Sequence, residues 1–125
     1  MYKILAVDDE PVICVIMQTF LTKKGFQVFT ANSGEQGWEI VQKEKPDLLI
    51  VDKMMPGMGG LGLLKKLREN QINTPVLVLT GSRETPETVD EVKEVGYDDF
   101  LFKPIELAVL LERVNKRLGR GKNEK

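Results

Sequence analysis

The sequence predicts a doubly wound α/β fold, in which helices cover both faces of a parallel sheet. Five short apolar runs alternate with five helix-like segments along the 125-residue chain, and the connections between them are short. The runs contain few polar residues, which is typical of strands that are buried on both faces. Right-handed crossovers between parallel strands then place helices on both sides of the sheet.

The five predicted strands are apolar runs that end near a turn signal. The third is the clearest, because Leu48 to Val51 are four consecutive apolar residues between Pro46 and a glycine-containing loop. The strands are predicted over residues 3–8, 27–31, 47–52, 76–80 and 99–103.

The segment after the first strand has the pattern of an amphipathic helix. Pro11 follows three acidic residues, as at the start of many helices, and Gly25 is a suitable C-terminal stop. Four apolar residues recur at the spacing of one helical face. This predicted inner face consists of Ile13, Ile16, Met17 and Phe20.

The other four predicted helices have shorter signals of the same kinds. Ser33 and Gln36 have the spacing of a capping box, and Thr85 with Pro86 resembles a helix start. The predicted inner faces are Gly37, Ile40 and Val41 for the second helix, Leu63, Leu64 and Leu67 for the third, Val89, Val92 and Val95 for the fourth, and Leu107, Leu110, Leu111, Val114 and Leu118 for the last. The domain is therefore predicted over 1–118, and 119–125 reads as a polar tail or the start of a linker.

Composition excludes several classes of function. The formal net charge of −1 gives no overall field that favours nucleic acid or an anionic membrane, and no apolar run is long enough to span a bilayer. The absence of histidine removes imidazole catalysis and His-ligated zinc. The single cysteine, Cys14, lies between apolar residues and is interpreted as a small core residue. We therefore expect a cytoplasmic protein.

Polar side chains stand at the carboxyl ends of four predicted strands, which meet at one edge of a parallel sheet. They are Asp8 with Asp9, then Asp52, Thr80 and Lys103. Each alone has an ordinary structural explanation: Asp9 as a helix cap, Thr80 as a turn residue and Lys103 as a solvated ammonium. Two carboxylates about 4 Å apart repel by roughly 4 kcal/mol at an effective dielectric near 20, so the group favours a cation.

The types of side chain at this edge indicate a chemistry. Oxygen ligands without histidine or cysteine favour Mg²⁺, or Mn²⁺, over zinc. Lys103 adds an ammonium beside Asp52, and Thr80 adds a hydroxyl donor for an anionic oxygen. This set is suited to phosphoryl transfer to a carboxylate, with Asp52 as the nucleophile.

Four motifs stand at or near the ends of the predicted strands: VDDE after the first strand, DLLIVDKMMPGMGGLGLLKKLR around Asp52, PVLVLTG, and DDFLFKP. Together they resemble the receiver domains of bacterial response regulators, the phosphoacceptor domains of two-component systems. The resemblance covers residues 3–118. It implies a flavodoxin-like fold with strand order 2-1-3-4-5, which brings the first and third strands side by side.

The resemblance also implies roles for individual residues. Asp52 would accept a phosphoryl group from a phosphohistidine of a sensor histidine kinase or phosphotransfer protein. Asp9, Asp52 and the backbone carbonyl of Met54 would ligate Mg²⁺ directly, and Asp8 mainly through water. Lys103 and Thr80 would bind phosphoryl oxygens. The domain would promote its own phosphorylation and dephosphorylation without being an enzyme for a separate substrate.

The resemblance further implies a switch that links Asp52 to an output surface. Thr80 and Phe100 would be the switch residues, and the surface would comprise the fourth helix, the fifth strand and the fifth helix, where a homodimer could also form. Candidate charges at its rim are Glu87, Glu91, Lys93, Arg113 and Arg117. The domain is expected to contact neither nucleic acid nor membrane directly.

Three positions depart from the usual family pattern. Gly59 stands where an aspartate is frequent, Phe100 replaces a frequent tyrosine, and Lys53 follows the acceptor. Without a tyrosine hydroxyl, the switch would depend on burial of the Phe100 ring alone. Lys53 could add positive potential near the site, but the sequence favours a solvated lysine.

Two other classes of protein share parts of this pattern. Magnesium-dependent phosphatases of the haloacid-dehalogenase type carry their nucleophile on the first strand in a DxD motif, whereas the first strand here ends in Asp8, Asp9 and Glu10. A flavodoxin-like FMN protein needs hydroxyls and glycines after that strand, and these three acids would repel a phosphate. The sequence therefore favours the receiver reading.

Overall fold

The computed structural model describes residues 1–53, 55, 57–81 and 97–119 of the chain. It contains a five-stranded parallel sheet in the order 2-1-3-4-5. The strands are β1 (Lys3–Val7), β2 (Gln27–Ala31), β3 (Leu48–Asp52), β4 (Val76–Thr80) and β5 (Asp99–Phe102). The predicted fold class and strand order are both confirmed, and each strand bound agrees with its prediction within one residue.

Four helices lie within the described residues. They are α1 (Pro11–Lys23), α2 (Gly34–Glu44), α3 (Gly59–Glu69) and α4 (Leu107–Leu118). The predicted fourth helix lies outside the described residues, so α4 corresponds to the fifth helix of the sequence prediction. None of the helices in the described ranges is both long and apolar enough to cross a bilayer.

The sheet separates two hydrophobic cores, as a doubly wound fold requires. One core contains Ile4, Ile50 and Leu77 from the sheet together with residues of α1 and α4. The other contains Leu5, Leu49 and side chains of α2 and α3. All residues of β3 and β4 are buried, because these two central strands are covered on both faces.

The inner face of α1 differs from the prediction. Its buried residues are Cys14, Met17 and Leu21. Ile13 and Phe20 are only partly buried at the edge of the core, and Ile16 is exposed. The predicted face and the observed face both have helical spacing, and both include Met17. In the structure the helix is rotated so that the side with Cys14 faces the core. The interpretation of Cys14 as a core residue is confirmed, since its side chain is buried.

The helix ends follow local signals in most cases. Gly25, just after α1, has a φ of +96°, which favours glycine. Ser33 Oγ accepts a hydrogen bond from Gln36 N at 3.1 Å, as predicted for the N-terminus of α2. The return bond of the predicted capping box is shifted by one residue, because Gln36 Oε1 accepts from Asn32 N at 2.8 Å. Trp38 on α2 is partly exposed, with Lys66 Nζ 5.4 Å from its ring centroid.

Candidate functional site

The predicted acidic residues meet at the carboxyl edge of the sheet. One carboxylate oxygen from each of Asp8, Asp9, Glu10 and Asp52 lies within 4.8 Å of the others. Asp8 and Asp52 are buried, whereas Asp9 and Glu10 are exposed. They converge because β1 and β3 are adjacent parallel strands with Val7 opposite Val51. The cluster thus has two carboxylates at its floor and two at its mouth.

The turn between β1 and α1 is fixed by backbone hydrogen bonds. Asp8 N donates to Ala31 O at 3.1 Å, which continues the pairing of β1 with β2 by one residue. Glu10 N donates to Asp8 Oδ1 at 2.9 Å. These bonds hold the buried Asp8 carboxylate in one orientation and place the Glu10 backbone above it.

The Lys103 ammonium lies among three of these carboxylates. Its Nζ is 3.0 Å from Glu10 Oε1, 3.1 Å from Asp8 Oδ2 and 3.2 Å from Asp52 Oδ2. The Asp8 contact is an ion pair without hydrogen-bonding geometry, since Asp8 Oδ2 has no hydrogen-bond partner among the described residues. Burial acts to lower the pKa of Lys103, but the bond to Glu10 and the charges of Asp8 and Asp52 outweigh it and raise this pKa.

Thr80 is at the end of β4, beside this cluster. Its side chain is buried, and Oγ1 has no hydrogen-bond partner among the residues that the structure describes. Thr80 pairs with Phe102 in the sheet, and its carbonyl accepts from Lys103 N at 2.8 Å. A buried hydroxyl without a partner is costly, so a ligand oxygen that satisfied Thr80 would gain binding energy there.

The segment after Asp52 packs closely against the strand end. Lys53 is buried, with 8% of its surface exposed, and its backbone N donates to Leu79 O at 2.9 Å. The prediction of a solvated Lys53 is therefore wrong: the chain still runs beside β4 at this point, so the residue is enclosed. Met54 lies outside the described residues, and its predicted ligand role stays a prediction.

Two glycines shape the start of α3. Gly59 has a φ of +72°, a conformation that aspartate adopts less readily than glycine. A Cβ at Gly60 would collide with the Asp52 carbonyl oxygen. The position of the strand end at Asp52 therefore depends on the absence of a side chain at Gly60.

Phe100 occupies the predicted switch position on β5. Its ring is half-buried and makes edge-to-face contacts with Tyr97, at 5.8 Å between centroids, and with Phe102, at 5.3 Å. Residues 82–96, between β4 and Tyr97, lie outside the described residues.

The structure brings together Asp8, Asp9, Asp52 and Lys103, as the sequence predicted. Thr80 ends the neighbouring strand β4, and its side chain makes no hydrogen bond to the acids within the described residues. The sequence analysis did not assign Glu10 to the site; it used this residue as a helix-start signal and as an argument against two other classes of protein. Its position as the third consecutive acid after β1 was the available signal. Donors of this kind fit a hard divalent cation, because all are carboxylate oxygens and Lys103 supplies one positive charge against four negative ones.

Comparison with known proteins agrees with this geometry. A family model described as the response regulator receiver domain matches residues 4–115. The alkaline phosphatase synthesis transcriptional regulatory protein PhoP of Bacillus subtilis is 37% identical over 119 residues, which are 95% of this chain and 49% of that protein. Response regulator MprA of Mycobacterium leprae is 38% identical over 120 residues, covering 96% and 52%. The chain spans about half the length of the curated relatives it matches.

Solved structures show the same similarity. The chemotaxis protein CheY4 of Vibrio cholerae has a TM-score of 0.87 and 34% identity, with 93% of this chain and 98% of that chain covered. The BeF3-activated N-terminal receiver domain of Klebsiella pneumoniae RstA has a TM-score of 0.84 and 33% identity, with 93% and 97% covered. Together with the match over residues 4–115, these similarities show that the chain belongs to the receiver domain family of two-component response regulators.

Proposed function

We propose that this domain accepts a phosphoryl group on Asp52 from the phosphohistidine of a sensor histidine kinase or phosphotransfer protein, in a reaction that depends on Mg²⁺. The observation that carries the proposal is the placement of the Asp52 carboxylate. It is buried at the end of β3, and its Oδ2 is 3.2 Å from the Lys103 ammonium. Receiver domains as a family work with such kinases or phosphotransfer proteins, and this placement supports the same step here.

In the proposed reaction an Asp52 oxygen attacks the phosphorus atom of the donor. A new oxygen–phosphorus bond forms, and the nitrogen–phosphorus bond of the phosphohistidine breaks, with its electron pair returning to the imidazole. The Lys103 ammonium is close enough to Asp52 to bind a phosphoryl oxygen. The Thr80 hydroxyl, which lacks a partner among the described residues, would donate to another.

Asp9 and Asp52 would hold Mg²⁺ directly, with Asp8 acting mainly through water and the Met54 carbonyl completing the protein ligands. When bound, the ion supplies positive charge that offsets the charge of the carboxylates and of the phosphoryl oxygens. Asp8 is suited to an indirect role because its Oδ1 accepts from Glu10 N and its Oδ2 pairs with Lys103. We propose that the domain promotes its own phosphorylation and dephosphorylation and acts on no separate substrate.

A groove beside the site is suited to the donor protein. It has a volume of about 560 Å³, and Glu10 and Lys103 lie at its edge. Its other walls are apolar or small, and they are formed by Ile13, Ile16, Gly81, Pro104 and Ile105. The exposed Val12 and Val15 extend the apolar surface along α1. Because Lys103 lines this groove and also contacts Asp52, we propose that the phosphohistidine-bearing segment of the donor docks here.

We further propose that phosphorylation changes a surface that includes β5 and α4 and that partners or a second copy bind there. Arg113 Nη1 is 2.8 Å from Asp99 Oδ1, and Arg117 Nη2 is 3.7 Å from Asp99 Oδ2, so both arginines tie α4 to β5. Glu87, Glu91 and Lys93, the other predicted rim charges, lie outside the described residues. With a net charge of −1, we assign no nucleic acid contact to this domain.

Incubation with acetyl phosphate and Mg²⁺ tests the phosphoacceptor. Intact mass spectrometry should show one added phosphoryl group on the wild type and none on Asp52→Asn. Asp47→Asn is the matched control, because Asp47 is an exposed aspartate that immediately precedes β3, at the opposite edge of the sheet. Labelling of Asp52→Asn at the wild-type level would refute the proposal.

A further inference from the structure

The three carboxylates around Lys103 differ in how firmly they are held. Asp8 has no exposed side-chain surface, and its Oδ1 is bound by Glu10 N. The Asp52 side chain is only 6% exposed, whereas the Glu10 side chain is 60% exposed. Glu10 is therefore the one of the three carboxylates that water can solvate when it leaves Lys103.

A lysine ammonium has three hydrogen atoms to donate, and Lys103 donates to Glu10 and Asp52 while the Asp8 carboxylate lies 3.1 Å away as an ion pair. These acids compete with a phosphoryl oxygen on Asp52 for the same ammonium, so weakening one of the contacts makes Lys103 more available to that oxygen. Release of Asp8 would leave a buried carboxylate without its cation, which is costly. Release of Glu10 costs little, because exposed ion pairs contribute little free energy.

The backbone of Glu10 allows this release without a change in the fold. Its N donates to Asp8 Oδ1, and its carbonyl accepts from Ile13 N at 3.1 Å and Cys14 N at 3.2 Å. Glu10 precedes α1, and its side chain makes no helix-capping bond. The side chain can thus rotate away from Lys103 while the backbone stays in place.

We propose that Glu10 is a positioning residue that holds the Lys103 ammonium in the unphosphorylated domain and competes with the phosphoryl group for it. This inference rests on the proposed function. Glu10 thereby lowers the affinity of the site for a phosphoryl group, and its removal makes Lys103 more available.

Binding of beryllofluoride, a phosphoryl mimic, in the presence of Mg²⁺ tests the competition by calorimetry. Glu10→Gln should tighten binding by about two- to fivefold, the range expected for loss of one exposed ion pair. Glu10→Ala, which leaves no side-chain acceptor, should tighten it at least as much. In a Lys103→Met background the Glu10 substitutions should have no such effect. Glu106→Gln is the matched control, because Glu106 is an exposed carboxylate three residues after Lys103 that does not pair with it.

A second measurement does not depend on phosphoryl chemistry. The Lys103 Nζ resonance of the unmodified protein should move in Glu10→Gln and stay in place in Glu106→Gln. If Glu106→Gln tightened beryllofluoride binding as much as Glu10→Gln does, the effect would come from negative charge near the opening of the site. This result would overturn the proposal. Weaker Mg²⁺ binding by Glu10→Gln, without tighter beryllofluoride binding, would instead make Glu10 a metal ligand and also overturn it. If the wild type does not bind beryllofluoride, both the proposed function and this competition are overturned. If the wild type binds it and Glu10→Gln leaves the affinity unchanged, only the role of Glu10 is overturned.

Discussion

Replacing Lys103 with methionine tests how far this ammonium offsets the charge of the acidic cluster. Each of its carboxylate contacts, at 3.0 to 3.2 Å, corresponds to an attraction of about 5 kcal/mol at an effective dielectric near 20. The desolvation cost of the lysine and the exposure of Glu10 reduce the net effect. Since Asp8 and Asp52 would remain buried without this counter-charge, we expect Lys103→Met to lower the free energy of unfolding by about 2–4 kcal/mol in the absence of metal.

Urea unfolding with EDTA and with saturating Mg²⁺ measures this effect. Mg²⁺ should stabilise Lys103→Met more than the wild type, because a divalent cation restores positive charge among the same carboxylates. Lys116→Met, at an exposed position on α4, should change stability by less than about 0.5 kcal/mol and serves as the control. If the metal-free Lys103→Met protein were as stable as the Lys116→Met protein, the charge argument would be wrong.

Three further predictions follow from the described contacts. Gly60→Ala should lower the free energy of unfolding by at least about 2 kcal/mol, because its Cβ would collide with the Asp52 carbonyl oxygen. Gly81→Ala should be nearly neutral in the same urea experiment, because a Cβ at Gly81 would have no described atom within 4 Å. Cys14 should react with a disulfide reagent at least about tenfold more slowly in the folded chain than in the urea-unfolded chain. The reason is that Cys14 is buried and that burial raises the pKa of its thiol. Equal reaction rates in the two states would refute this prediction. The pKa of Lys103 in the folded protein is raised above its usual value of 10.5. The contribution of Lys103 to stability should therefore be fully present below pH 10.5 and be lost as the pH rises through the folded pKa. Urea unfolding at increasing alkaline pH should show this loss in the wild type and not in Lys103→Met.

The strand ends were predictable because they depend on a simple rule of parallel sheets. Apolar runs with short connections fix which residue ends each strand, and parallel pairing then puts those residues at one edge. Asp8, Asp52 and Lys103 meet for this reason, and their contacts agree with the prediction. No knowledge of side-chain packing was needed for this part of the site.

The errors concern features that side-chain packing decides. The spacing of apolar residues in α1 fits two faces, and only contact with the sheet selects the one that contains Cys14 and leaves Ile16 exposed. Lys53 is enclosed because the chain after Asp52 continues beside β4, which composition does not reveal. The contact of Glu10 with Lys103 joins residues 93 positions apart, and depends on how far two flexible side chains reach.

Thr80 and Phe100, the two proposed switch residues, lie on the same face of the sheet. Side chains alternate along each strand, so Thr80 projects to the same side as Val78, which belongs to the core with α2 and α3. Phe100 packs against that core too, and Phe102, which contacts its ring, is paired with Thr80. A phosphoryl oxygen that drew the Thr80 hydroxyl toward Asp52 would therefore act on the strand pair that carries Phe100. Lys103 follows Phe102 directly, so both proposed phosphoryl-binding side chains adjoin the strand on which the switch is proposed to act.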